Sequence, residues 1–281
     1  MEEKIAQNTQ WIEAQKTTFT NWVNRVLGGL YTIKNIETEF ADGLVFIMLA
    51  EQLQNTLMSR KYNHHPKTQY QKLENIALGL RFLEEDGIKL VNINASDIYN
   101  GNLKLILGFL WTLIQKYQIG NDGKTSTRNG LLEWINAHVT KTQVTNFSKE
   151  WKDGYLLANV VNTICPGLVD MKHEEMKKGD IERVRFVQQI AMDKLNVPIV
   201  MPAEHIACEE PDELSLMLYI SYFRMIPEEL IQTVLQSLSE KVAENGDQKK
   251  KMWLWILLLI IAIIIAFIAF GFSGKKEKEM K

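Results

Sequence analysis

Cysteine, histidine and proline are scarce in this chain, at two, five and six of 281 residues. Two cysteines, Cys165 and Cys208, cannot supply a disulfide framework, and neither sits in a metal-ligand spacing. In a reducing compartment they read as free thiols packed like small hydrophobes. The Gly-rich phosphate loop of nucleotide enzymes is missing, and so is an acidic calcium-binding loop. "HEEM" (173–176) lacks the second histidine of a zinc-protease helix. His64 and His65 precede Pro66 in a polar loop, where solvated side chains are the ordinary state. The common metal, nucleotide and nucleophile chemistries are thereby excluded, and the chain is expected to be a non-enzyme without a cofactor. The opening "MEEKIAQNTQWIEAQ" lacks the apolar run of a secretory signal, so the expectation is a cytosolic N-terminal part.

Charge is missing from one long stretch. None of the 21 residues from Met252 to Phe272 is charged, and fourteen of them are Leu, Ile or Phe. As a helix they reach ~31 Å, the thickness of a bilayer's hydrocarbon core. Their side chains favour insertion by roughly 4–8 kcal/mol. Trp253 and Trp255 stand where an interfacial aromatic belt would. Only a short basic tail, 273–281, follows, so the expectation is a tail-anchored, single-pass transmembrane helix over 252–272. The favoured destinations are the endoplasmic reticulum and secretory route or the plasma membrane. From Lys249 onward seven Lys face two Glu, a surplus of five, so the chain's net −2 becomes −7 on residues 1–248. A net-acidic body argues against nucleic acid as a partner.

What is present is a repeat. "EFADGLVFIMLAEQL" (39–53) and "EWKDGYLLANVVNTI" (150–164) share Glu, aromatic, any residue, Asp, Gly and a largely apolar run, at an offset of 111. "NLKLILGFL" (102–110) and "ELSLMLYIS" (213–221) pair at the same offset. Trp22 and Trp134 pair at 112. A period this long means two homologous domains rather than a solenoid. We place them at 12–118 and 127–226, joined by a turn-rich linker at 119–126.

Both domains read as all-α. Phe19, Trp22, Val23, Val26 and Leu27 form one helical stripe. Asp42 is the expected N-cap of a helix that is apolar on every side, hence central. "KLENIALGLRFLEEDG" is amphipathic and closes at Gly87. "NGNLKLILGFLWTLIQKY" is almost wholly apolar. Its smaller or polar positions, Lys104, Gly108, Thr112, Gln115 and Lys116, fall on one narrow stripe that alone can face outward. That stripe is either a solvated face or a contact. Lys16, Thr20 and Asn24 lie opposite the aromatic stripe of the first helix, and Glu133, Asn136 and Lys141 hold the corresponding places in the second domain.

The paired "DG" openings, together with "QKTTFTNWVN", "RKYNHHP", "NGNLKLILGFLWTLI" and "VTNFSKEWKDG", resemble tandem calponin-homology domains. Such a pair is the actin-binding domain of the spectrin, α-actinin and filamin superfamily, and the resemblance is closest to the filamin type. It implies filamentous actin as partner. In the family the first domain binds through its first and last helices, and the second assists through its first helix or by occluding the first domain. Carried over, the actin-facing residues are Lys16, Thr20, Asn24, Lys104, Gly108, Thr112, Gln115 and Lys116, with Glu133, Asn136 and Lys141. Lys141, Lys149 and Lys152 fall in the stretch that binds phosphoinositides in α-actinin-like proteins, so anionic phosphoinositides are a candidate ligand. Arg183 and Arg185 depart from the family's usual Asn, a change expected to act on interdomain packing.

Residues 227–248 read as an amphipathic helix opened by Pro227 and two Glu. Its face of Leu230, Ile231, Val234, Leu235, Leu238 and Val242 could dock on the second domain, lie on the membrane or pair with a second copy, and its acidic surroundings favour docking or pairing over lipid. Ala262 and Ala266, at small-xxx-small spacing, also point to a homodimer. A connector of this length holds the preceding domains within roughly 80 Å of the bilayer even when extended. The expectation is a membrane-anchored, cytoskeleton-associated protein that tethers actin filaments to the cytosolic face of a membrane. The alternative is a tail-anchored adaptor whose paired domains bind another protein.

Overall fold

A computed structural model describes residues 2–120, 127–138 and 143–244, with 248, 252 and 255. Among these residues the fold is helical throughout and contains no strand. The helices are α1 (Glu2–Leu27), α2 (Leu44–Gln54), α3 (Gln69–Glu85), α4 (Ala95–Tyr99) and α5 (Leu103–Ile114), then α6 (Thr127–His138), α7 (Tyr155–Ile164), α8 (Asp180–Leu195), α9 (Ala203–Ile206) and α10 (Glu213–Arg224). One π-helical turn, Gln115–Ile119, continues α5. A further helix, α11, runs over 228–244.

The repeat has a physical basis at its "DG" steps. Gly43 and Gly154 precede α2 and α7 at φ 80° and 73°, left-handed values that a side chain resists. A Cβ on Gly43 would lie 2.5 Å from Asn75, and one on Gly154 3.0 Å from Val184, so α3 and α8 pack directly on these backbones. The glycine is therefore the N-cap, where the sequence suggested Asp42. Asp42 instead accepts the Leu44 N–H at 2.9 Å, and Asp153 accepts that of Tyr155 at 3.0 Å. Each carboxylate satisfies an orphan donor of the first turn from one position further out. Gly87 stands just past α3 at φ +84°, with Ile88 N–H returning to Leu83 and Gly87 N–H to Glu84, a Schellman closure.

The apolar helices form the cores. Val45, Phe46, Ile47, Leu49 and Ala50 of α2 are buried, as are Ile106, Leu107, Phe109, Leu110, Leu113 and Ile114 of α5. Phe46 meets Phe40 at 5.8 Å and Phe109 at 5.7 Å between ring centroids. In the second half Phe147 stacks on Trp151 at 6.0 Å, and both are fully buried. α1 packs on α2 and α5 within its own half and on α10 in the other. Residues Met1–Glu228 thus form one compact unit that holds both cores, and Glu229–Lys281 belong to a second.

Among the described residues no helix is long and apolar enough to cross a membrane. The expected span, 252–272, lies outside them apart from Met252 and Trp255, and the tail 273–281 lies outside entirely. Residues 121–126 of the linker and 245–247, where α11 was expected to end, also lie outside.

Candidate functional site

Every expected contact residue of the first domain lies on α1 or on α5 and its π-helical extension. On α5, Lys104 and Gly108 are exposed, while Thr112, Gln115 and Lys116 are half-buried. A Cβ built on Gly108 meets nothing within 4 Å, so the helix backbone is open there. Thr112 turns its hydroxyl back to the Gly108 carbonyl at 3.2 Å. Lys116 is engaged within its own domain, donating to both the carbonyl and the carboxylate of Asp86. Tyr117 donates to the same carboxylate at 2.6 Å. The Lys116 and Tyr117 hydrogen bonds hold the Asp86 carboxyl below the usual range, against a smaller opposing effect of burial. The accessible part of this stripe is therefore Lys104–Gly108.

On α1 the polar face is shared among three tasks. Lys16 is half-buried and donates to Glu37, a hydrogen bond that raises the lysine's pKa despite partial desolvation. Thr20 is half-buried. Asn24 clamps the following loop, donating to the Ile33 carbonyl at 3.0 Å and accepting the Ile33 N–H at 2.7 Å. Asn136 repeats the clamp in the second domain, on the carbonyl and N–H of Val144 at 2.9 and 2.7 Å. Both ends of each amide are committed, so these asparagines position the loop that follows their helix. Glu133 is exposed beside Asn136, in an open groove of about 480 Å³.

A third part of α1 faces the second domain, and sequence reasoning missed it. Gln15 and Thr18, one turn before Phe19 and Trp22, are buried together with Ala14. Gln15 donates to Asp212 at 2.9 Å, and Asn21 donates to the Val200 carbonyl at 2.9 Å. Asp212 uses its other oxygen to cap α10, accepting from the N–H and hydroxyl of Ser215. The π-helical turn brings Gln118 to the same seam. Its oxygen accepts from the Trp22 indole at 3.4 Å, and its nitrogen faces Ser221 Oγ at 3.4 Å and Met225 sulfur at 3.1 Å. Burial pushes the nearby Tyr222 hydroxyl up to about 12, with Arg25 opposing. Polar Gln15, Thr18 and Asn21, three residues apart on one helix, were the available signal.

Arg183 has a role inside its domain rather than between domains, which corrects the expectation from sequence. In the first half Asn75 is fully buried and ties the Asp42 carbonyl (3.2 Å) to both backbone groups of Asn63. In the second half Arg183, 7% exposed, donates to the carbonyls of Asp153 (2.5 Å), Met176 (2.8 Å) and Lys178 (2.6 Å) and to Asp180 (3.0 Å). Its guanidinium lies 4.2 Å from the Tyr155 ring centroid. The arginine's five donors do, over a longer reach, what the amide does in the first domain. Arg185 pairs with Glu204 on the surface.

Of the lysines proposed for phosphoinositide, Lys141 lies outside the described residues. Lys149 pairs with Glu210 at 3.1 Å and Lys152 with Glu209 at 3.2 Å, so an anion there competes with carboxylates already in place. Burial pushes both cysteine thiols up. Among the described residues no group of three or more His, Cys, Asp and Glu is placed to hold a metal.

Comparison with known proteins bears on both halves. The calponin homology (CH) domain family matches residues 13–119 and again 125–228. The chain is 37% identical over 235 residues to filamin-A of Drosophila melanogaster, covering 79% of this chain and 11% of that protein. It is 32% identical over 252 residues to human alpha-actinin-3, covering 86% of this chain and 28% of the relative. Among solved structures, the crystal structure of the actin-crosslinking core of Schizosaccharomyces pombe fimbrin superposes with a TM-score of 0.62 at 22% identity, over 76% of this chain and 48% of that one. The chain thus spans 11% to 48% of the length of these relatives.

Proposed function

The chain belongs to the calponin homology domain family, and from that footing we propose that its paired domains bind actin filaments without catalysing a reaction. Three features support the reading: membership of the family, the tandem arrangement, and its resemblance to the actin-binding domain of filamins and α-actinins. The observation that carries it is the Lys104–Gly108 turn of α5. It is the part of a helix otherwise wrapped in core side chains that stands open, with a cation and an uncovered backbone one turn apart. A net-acidic body binding an acidic filament needs local lysines and shape fit, so modest affinity per domain pair is the expectation. Lys16 and Thr20 extend the contact, and Asn24 and Asn136 position the loops beside it. On this reading the first domain would bind through α1 and α5, and the second, through its seam with α1, would limit access to α1.

We further propose that the apolar stretch 252–272 holds this pair near a bilayer, so that filaments lie along a membrane and many weak contacts add avidity. This part rests on composition and length alone. Alkaline extraction of membranes from cells making the full chain tests it: retention in the membrane pellet, lost when the chain ends at 248, is the expected result. For the filament reading, the experiment is co-sedimentation of residues 1–248 with filamentous actin. Lys116 is a poor probe because reversing its charge would set two carboxylates together at Asp86. Lys104→Glu and Gly108→Trp change only open surface. If neither lowers pelleting, the contact lies elsewhere, and if the parent fails to pellet even with the seam broken, the pair serves another protein.

A further inference from the structure

From Gln52 to Leu73, across the connection between α2 and α3, the chain carries no acidic residue. It does carry Arg60, Lys61, Lys67 and Lys72, with His64 and His65 between them. The connection is held at several points. Met58 N–H donates to Glu51 at 2.9 Å, and Asn63 N–H donates to buried Asn75 at 2.9 Å. Arg60 forks onto Glu85 at 2.8 and 2.5 Å. Gln71 accepts the N–H groups of Lys67 and Thr68 at 2.8 and 3.1 Å. These contacts anchor the loop at residues 58, 60, 63, 67 and 68 and leave side chains between them facing outward.

Those side chains share a character. Lys61, His64, His65 and Lys67 are exposed, and Leu57 and Tyr70 flank them at 78% and 74% exposure. Neither Lys61 nor Lys67 has a carboxylate within ion-pair distance among the described residues. Elsewhere on the same unit Lys16, Lys116, Lys149, Lys152, Lys177 and Lys178 are each paired with an Asp or Glu, whereas other lysines such as Lys34, Lys89 and Lys104 are unpaired too among the described residues. What sets this loop apart is its cations within a stretch that has no acidic residue. A fixed loop that displays unpaired cations between an aromatic and an aliphatic tip has the composition of an interfacial membrane contact.

We propose that residues 57–70 form a docking surface for an anionic phospholipid bilayer. Lys61 and Lys67 meet headgroup phosphates, while Tyr70 and Leu57 enter the interfacial layer. Lipid phosphates are a diffuse target, which suits separate cations without a shared pocket. The site is distinct from Lys149 and Lys152, whose charges are already countered. It rests neither on the filament reading nor on the 252–272 stretch.

The test uses the chain ending at residue 248, which retains the whole compact unit 1–228 and lacks the apolar stretch. It is floated with vesicles of about one-third phosphatidylserine in phosphatidylcholine, and with phosphatidylcholine alone. The parent should float with the anionic vesicles only, and less as salt rises. Each lysine near an anionic surface contributes about fivefold, so Lys61→Glu/Lys67→Glu should lower the bound fraction by about tenfold or more. Lys149→Glu/Lys152→Glu should leave it unchanged. All four side chains are at least a third exposed, and matching circular dichroism verifies the fold of each variant. Equal flotation of parent and Lys61→Glu/Lys67→Glu overturns the proposal, as does no flotation of the parent. A variant that floats normally yet no longer pellets with filaments assigns the loop to actin and also overturns it. A chain that floats but never pellets leaves this proposal standing and refutes the filament reading alone.

Discussion

Breaking the seam between the domains should strengthen filament binding, and the structure sets the scale. Gln15→Ala/Asn21→Ala removes the hydrogen bonds to Asp212 and to the Val200 carbonyl. The first has a charged acceptor and contributes about 1.5–3 kcal/mol, the second about 0.5–1.5, so together about 2–4.5 kcal/mol favouring the closed pair. Mutating Gln15 rather than Asp212 matters, because the other Asp212 oxygen caps α10. The variant also leaves that carboxylate half-desolvated in the closed pair and hydrated in the open one, which shifts the balance the same way. At about 1.4 kcal/mol per decade, the closed-to-open equilibrium moves by roughly 30- to 1,600-fold. Apparent affinity follows the open fraction until that fraction approaches one, so the dissociation constant should fall by up to that factor and then level off. Co-sedimentation at several filament concentrations reads the constant, and the distance between labels on the two domains reads opening. Domains that separate while affinity stays at the parent value would refute the reasoning, since α1 would then not be a limited surface.

Three further outcomes follow from particular contacts. Gly108→Ala should raise stability by up to about 1 kcal/mol in urea unfolding, because its Cβ meets open space on a helix; a loss would mean that the turn is packed. Arg183→Met should cost about 1–3 kcal/mol, because it leaves the buried Met176 carbonyl and the part-buried Asp153 and Lys178 carbonyls without their donor, while Asp180, 46% exposed, can turn to water. The loss should appear first in the fluorescence of Trp151, and a cost below about 1 kcal/mol would remove the residue from the account. Asp86 is held below its ordinary pKa by Lys116 and Tyr117. The stability it contributes is therefore present above pH ~4 and is lost as pH falls through the lowered value. With side chains 34% and 41% exposed the pair is worth under about 1 kcal/mol, so Lys116→Met should lower stability slightly at pH 7 and flatten that acid-side slope.

The fold class and the duplication were legible in the sequence because apolar periodicity and the two "DG" steps are local signals. α2 and α5 are apolar on nearly every side and are buried accordingly. The Asp42 cap was misplaced by one residue because sequence cannot show that α3 lies against Gly43. Asn24 and Asn136 read as outward polar positions, yet each spends both ends of its amide on the next loop. Arg183 read as an interdomain change because its counterpart, Asn75, is 108 positions away and smaller, while the carbonyls both must reach come from non-adjacent loops. The partners across the seam were invisible for a related reason, although the polar positions of α1 were not. Gln15 and Asp212 are 197 residues apart, and a polar pair at that separation leaves no periodic trace.

The claim that paired calponin-homology domains bind filaments through the open turn of α5 is tested most directly by co-sedimentation of residues 1–248 with filamentous actin, beside Lys104→Glu/Gly108→Trp. The account predicts that the parent pellets and that the variant, equally folded by circular dichroism, stays in the supernatant. Equal pelleting of the two would contradict it.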